Sequence, residues 1–399
     1  MVEHGEYGGQ GGNNAAWTGI NFVSAGGAFT NNGEIVLSST AGADNTGNAR
    51  MIFGDGTVNK QTYVLTGTGR LKLDLSQRVE SGTGNPYETA ILVVVNNDKK
   101  HKIVNDANHT IEGSGYFKNL GLDNYGLIRA SDIPRNPEKG VSPWPMQFRC
   151  YYNYNANEFG ARLENYPSGR MIAMESSGGL YLGNKEHRST FFNHGLLEAR
   201  TGSKIEFRSG TTESVAKEGG DKTDVVGLGG VIAGDGTIVT YRPVVIKSAY
   251  ELKSGPYPAA IVRPGNLALN AQGEDDGLGA SLPGTLRFTT NVTFKAGSTL
   301  EIDGAKVDGA ARVDRVEVDG AVAIESGAVL KITGKIPGGS HTLVASSLPI
   351  VGDFTVVREK GASKVTLTKR TETEGEGEDA VVRYYLDGSF FDGFMLKVR

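Results

Sequence analysis

The sequence is short of several things on which ordinary globular proteins rely. Cysteine occurs once, at Cys150, among 399 residues. No intrachain disulfide and no cysteine-based metal cluster can therefore form. No apolar run reaches about 18 residues, so no membrane-spanning helix is expected. The opening residues, MVEHGEYGGQGG, lack the basic and apolar regions of a signal peptide, and no export signal is visible. With 41 basic and 45 acidic side chains the net charge is −4. That balance gives no general attraction to nucleic acid or to anionic membranes, and neither is expected as a partner. Helical periodicity is nearly absent: no window of about a dozen residues keeps apolar positions at helical spacing without a glycine or a turn.

Motifs of common chemistry are missing as well. The six histidines, His4, His101, His109, His187, His194 and His341, form no HExxH and no other metal-spaced pair. There is no GxSxG elbow. The pair Gly229-Gly230 does not open a helix, so no phosphate loop is supported. The calcium-binding nonapeptide of secreted solenoids is absent. Three acidic pairs, Asp221 with Asp224, Asp275 with Asp276 and Asp303 with Asp308, sit in glycine-rich turns, where Asp is an ordinary turn former. The cluster Glu274-Asp275-Asp276 reads as an exposed acidic linker rather than a calcium site. No metal, cofactor or catalytic residue is expected.

What the chain does have is glycine, 57 residues of it, about twice the usual share. Thirteen prolines without a G-X-Y period exclude collagen. Between the glycines run short alternating segments: 34–37, 63–65, 70–75 and 204–208. They read as half-buried strands. The run 90–95 is continuously apolar, as in a strand buried on both faces. An irregular repeat organises them: Asn, one or a few residues, Gly, a short apolar strand, a glycine turn and a second short strand. Copies begin at Asn31, Asn124, Asn165 and Asn193, with a degenerate one over 229–239.

Each unit is too small to bury its own apolar face, so units have to stack. Stacked asparagines at equivalent turns form ladders, because the amide both donates and accepts. Glycine is expected to supply corners with positive φ. The predicted fold is all-β, a right-handed parallel β-helix. Residues 1–280 are an irregular β-solenoid with an aromatic-rich insert at about 131–160, and residues 281–399 are a C-terminal β-module. The polar stretch 211–224 reads as an exposed loop.

The C-terminal part carries GSTLEID from position 297, DRVEVDG from 314, GAVLKI from 327 and GSHTLV from 339. This outline resembles the autotransporter-associated repeat of bacterial passenger domains. The upstream Asn-Gly units resemble the looser coils of the same class of exported proteins. The signal peptide and the membrane-inserted translocator barrel of that class are not seen in the sequence. The resemblance implies an extracellular or bacterial cell-surface location and a structural, adhesive, non-enzymatic role. Two alternatives stay open: a carbohydrate-active β-helix enzyme, lyase or glycosidase, and a phage tail-fibre or tailspike component.

The aromatic insert supplies the candidate binding residues Trp144, Tyr151, Tyr152 and Tyr154. Their flat faces and polar edges suit sugar rings or a protein surface, so a glycan or cell-surface partner is expected. The competing reading makes the insert a structural cover. The aromatic and aliphatic segment 384–398 reads either as a last buried hairpin or as a strand that joins another copy end to end.

Overall fold

The computed structural model describes residues 3–4, 18–22, 26–38, 49–53, 61–74, 92–95, 101–118, 120–131, 145–149, 162–175, 177–183, 190–208, 213–216, 222–247, 251–252, 255–256, 259–267, 283–375 and 380–391. The chain divides into two compact units, residues 1–196 with 203–214 and residues 197–202 with 215–399. Both are parallel β-solenoids, and no helix occurs among the described residues. All four alternating runs are strands: Glu34–Ser38, Thr62–Thr66, Arg70–Asp74 and Lys204–Phe207. The stretch 211–224, expected to be a loop, holds the strand Glu213–Ala216 and the start of Lys222–Leu228.

In the first unit each coil gives one strand to each of three sheets. One turn lays Gly115–Lys118 in sheet one, Leu120–Asn124 in sheet two and Leu127–Ala130 in sheet three. The next turn sets Met146–Arg149, Arg162–Asn165 and Arg170–Ala173 beside them, all parallel. Strand alternation sends every second side chain inward. Phe117 and Phe148, register partners in sheet one, stack with centroids 4.3 Å apart. Leu71, Ile111, Ile128 and Met171 form the inner column of sheet three. Each such side chain contributes about 1.5–3 kcal/mol on burial.

The asparagines end the sheet-two strands, two residues beyond a buried apolar partner, and so share its inward face. Asn105, Asn124, Asn165 and Asn193 stack as a ladder. The Nδ2 of each donates to the Oδ1 of the next at 2.8 Å, three times in succession. The second amide hydrogen goes to the main-chain carbonyl of Leu127, Arg170 or Leu196. The steps in sequence are 19, 41 and 28 residues, yet the register holds.

At the near end His109 continues the ladder, with Nδ1 2.8 Å from Asn105 Oδ1 and Nε2 3.4 Å from Asn31 Nδ2. This requires a neutral ring that donates from Nδ1 and accepts at Nε2. The glycine turns of the repeat have positive φ as expected, at Gly179, Gly202 and Gly234, but the glycine that follows each asparagine has a different role. Gly126, Gly169 and Gly195 do not adopt positive φ. A Cβ on Gly195 would lie 2.1 Å from the carbonyl oxygen of Gly169, and one on Gly126 would lie 2.3 Å from that of Asp106. Close approach between neighbouring coils, not handedness of the turn, selects glycine there.

The second unit repeats the three-strand coil with a more even step. Thr285–Phe288, Val292–Phe294 and Thr299–Ile302 lie on Thr237–Val239, Val244–Ile246 and Ile261–Pro264. Arg315–Val318, Val322–Ile324 and Val329–Ile332 follow, then Gly339–Ser346, Ile350–Val351 and Thr355–Arg358. Sheet one then continues past the last coil by two antiparallel strands. Val381–Phe391 pairs with Gly339–Ser346 on one side and with Lys364–Glu374 on the other. Residues 384–391 are thus an interior strand whose two edges are both taken, with Leu386 and Phe390 buried. This overturns strand addition at that segment. Residues 392–399 lie outside the described residues.

Two predictions follow from the ladder. Asn124→Ala strands the Nδ2 of Asn105 and the Oδ1 of Asn165, at about 1–3 kcal/mol for each buried group left unpaired. Asn124→Asp costs more, because it sets a buried charge against an acceptor oxygen. Denaturant unfolding of the three proteins checks the order. Burial drives His109 down to about 4, against the opposing pull of Asp106. The folded value is depressed, so the contribution is complete above the unfolded value near 6.5 and is lost as pH falls toward 4. The loss approaches about 3 kcal/mol. His109→Gln is expected to flatten this slope in unfolding curves recorded from pH 7.5 to 4.

Candidate functional site

The ladder turns inward, and the residues on either side of each asparagine therefore point outward. Before Asn105, Asn124, Asn165 and Asn193 stand Val104, Asp123, Glu164 and Phe192, which are register partners in sheet two. After three of them stand Tyr125, Tyr166 and His194. The repeat thus builds two parallel columns on one corner of the first unit. Tyr125 and Tyr166 stack with centroids 4.1 Å apart and planes 13° from parallel. His194 Nε2 lies 3.6 Å from Glu164 Oε1. Asp123 pairs with Lys102, and Glu164 with Arg162. The Arg162 guanidinium sits 4.7 Å over the Phe192 ring.

Burial dominates the electrostatics of this corner. The Glu164 side chain is 0% exposed. Its carboxyl is raised above the usual range by burial, against Arg162, with Asp123 adding to the rise. Burial, then Asp123, also raises the Tyr166 phenol. Two carboxylates in register on adjacent coils are what a β-helix glycosidase would need. Here each is engaged by a cation: Lys102 reaches Asp123 from the neighbouring coil, and Arg162 holds Glu164 along its own strand. None of the three acidic pairs considered from the sequence is this one.

A second cluster lies on sheet one of the same unit. Lys204 and Arg208 sit 4.9 Å and 4.4 Å from the centroid of Tyr181, and both pair with Glu206. Burial works to raise Glu206, but Arg208 and Lys204 outweigh it and hold the carboxyl below its usual range. The cluster presents a half-buried phenol edged with charge, a surface suited to a polar ring.

The aromatic candidates Trp144, Tyr151, Tyr152 and Tyr154 lie outside the described residues. The stretch around them contains one described strand, Met146–Arg149, seated in sheet one between its parallel neighbours. Trp144 precedes this strand, and the three tyrosines follow it. No group of three or more His, Cys, Asp or Glu able to hold a metal ion occurs among the described residues.

In the second unit the acidic residue Asp303 finds a partner other than Asp308. Asp308 sits at the tip of the hairpin formed by Gly304–Val307 and Ala310–Val313, with φ at 51°. Asp303 instead meets Asp314 across the hairpin's base. The Asp314 main-chain N–H donates to the Asp303 carbonyl at 3.0 Å. The Asp314 carboxyl accepts the N–H groups of Asp303 and Gly284 at 2.9 Å and 3.1 Å. Asp314 is 1% exposed. Burial raises both carboxyls, and at Asp314 the neighbouring Asp303 charge raises it further.

Because both folded values are raised, the clasp stabilises the fold most at acid pH, and its contribution is lost as pH rises through them. Asp303→Asn keeps an acceptor for the protonated Asp314 carboxyl and removes one charge. It is expected to raise the melting temperature at pH 8 while changing it little at pH 4, as differential scanning fluorimetry at the two pH values will show. As for known proteins, no protein-family model matches the chain, and no curated protein matches it.

Proposed function

We propose that this chain is a non-enzymatic, extracellular or bacterial cell-surface β-solenoid with a structural and adhesive role, displaying loops toward a glycan or cell-surface partner. The observation that supports this reading is the contrast between fixed register and variable coil length. The coil from Asn105 to Asn124 takes 19 residues and the coil from Asn124 to Asn165 takes 41, yet both close the same ladder. The extra residues fall between Leu127–Ala130 and Met146–Arg149 and between Met146–Arg149 and Arg162–Asn165. These are the segments that carry Trp144, Tyr151, Tyr152 and Tyr154. Long connections on a regular scaffold are where recognition residues concentrate. The resemblance to the autotransporter-associated repeat points the same way.

A second reading, a carbohydrate-active enzyme, draws on the in-register Asp123 and Glu164. The two readings separate in one set of experiments. Under the adhesive reading, Trp144→Ala with Tyr152→Ala weakens attachment to glycan arrays and to whole cells and leaves the melting temperature nearly unchanged. A lowered melting temperature with unchanged attachment makes the segment a structural cover. No turnover of pectin, alginate or xylan is expected. Reducing sugar or unsaturated product released by the chain and abolished by Glu164→Gln would replace the adhesive reading with the enzymatic one.

A further inference from the structure

The strand Lys364–Glu374 is eleven residues long, about twice the usual strand length. It ends the order of sheet one. All eleven residues register against Val381–Phe391, and no strand pairs with its other edge among the described residues. It contains neither proline nor glycine, and four of its residues are threonine. Such an edge is a ready template for another strand unless something opposes pairing. Charge on the edge is the usual opposing device, and here the charge is sorted along the strand. Lys364, Lys369 and Arg370 precede Glu372.

We infer that Lys364–Glu374 pairs antiparallel with the same strand of a second copy of this chain, around a two-fold axis at Thr371, placing Arg370 of each copy opposite Glu372 of the other. Opposite charges directly across a strand pair favour it, and threonine pairs well with threonine across the axis. In a parallel, in-register pair Arg370 would face Arg370, and the same charges would oppose association. The sorted charge therefore selects one partner and one direction. A two-fold pair of this kind is closed and does not propagate.

Side chains around the edge are arranged to suit. The Arg370 guanidinium lies 3.9 Å from the Tyr385 ring centroid and is held by Asp387 on the outer face. Glu372 is 54% exposed and pairs with Arg370 of its own chain, so the two pairs across the axis join two intrachain ones in a network of four charges. Lys369 is on the face of Leu386, where an edge lysine would repel an incoming strand. Its Nζ is turned to Asp353 at 2.8 Å and to the carbonyl of Gly352 at 2.5 Å. With the axis at Thr371 the two strands overlap over residues 368–374, a contact about 24 Å long. This inference does not depend on the adhesive reading.

Sedimentation equilibrium of the whole chain over a wide concentration range is expected to show a monomer–dimer equilibrium. Glu372→Lys sets like charges across both ends of the axis and is expected to weaken association about tenfold. In a Cys150→Ser background, Thr371→Cys faces itself at a distance a disulfide can span. It is expected to give a covalent dimer under mild oxidation, whereas Thr366→Cys is not. Far-UV circular dichroism verifies that each variant is folded. A chain that stays monomeric at every concentration, a dimer indifferent to Glu372→Lys, or a dimer that does not cross-link through position 371 overturns the inference.

Discussion

Parallel coils are joined by main-chain hydrogen bonds at a spacing of about 4.8 Å, and that bonding tolerates no slip, because a shift of one residue would turn every inward side chain outward. Most of what is seen in the first unit answers this constraint. An apolar column alone is a poor guard of register, since Leu and Ile slide past one another at little cost. An amide column is a better one. Each asparagine side chain has a fixed donor and a fixed acceptor, and a displaced coil would bury both unpaired. The ladder from Asn105 to Asn193 can thus hold coils of 19, 41 and 28 residues in one frame. His109 ends it with a neutral ring that copies the amide's one donor and one acceptor, and burial keeps the ring neutral.

Once register is fixed, outward charges meet predictably, and the chain uses them in alternation. On sheet three of the first unit Glu34, Arg70, Glu112 and Arg129 follow one another with alternating sign. On sheet three of the second, Arg263, Glu301, Lys331 and Glu359 do the same. Burial would raise Glu301, but Lys331 and Arg263 hold it below the usual range. The exceptions to alternation are Asp123 beside Glu164 and Asp303 beside Asp314. The first pair is served by a separate cation for each acid. The second has none hydrogen-bonded to it among the described residues, and its carboxyl values are raised instead.

The strands and the ladder were legible in the sequence because both are local. Alternation over five residues names a strand, and Asn before a glycine names a turn whose stacking follows from the amide's chemistry. Partners across coils were not legible. Asp123 lies 41 residues from Glu164, and nothing in composition says that the intervening coil closes with those two in register. Asp303 was paired with the nearer Asp308, but the intervening hairpin brings Asp314 to its base. Glycine was read for its freedom of φ, which holds at the glycine turns, whereas the glycine after each asparagine answers a neighbouring carbonyl only 2.1–2.3 Å from where a Cβ would be. That contact exists only once the coils are stacked.

The C-terminal strands show the limit of reading hydrophobicity as position. Tyr384, Tyr385, Leu386, Phe390 and Phe391 read in the sequence either as a last buried hairpin or as a strand open to another copy, and the structure makes them part of the hairpin. A strand that apolar is better placed inside a sheet, where both edges are bonded and one face covers the core. The chain achieves this by laying the polar strand Lys364–Glu374 down first and returning between it and the last coil. The outermost place then falls to a strand whose side chains are mostly threonine and charge. Sorting that charge from basic to acidic along the strand leaves soluble an edge that still discriminates between directions of pairing, which a uniformly basic edge would not do. The order of the two last strands therefore settles three matters at once: what covers the end of sheet one, what faces water, and in which direction a further strand is accepted.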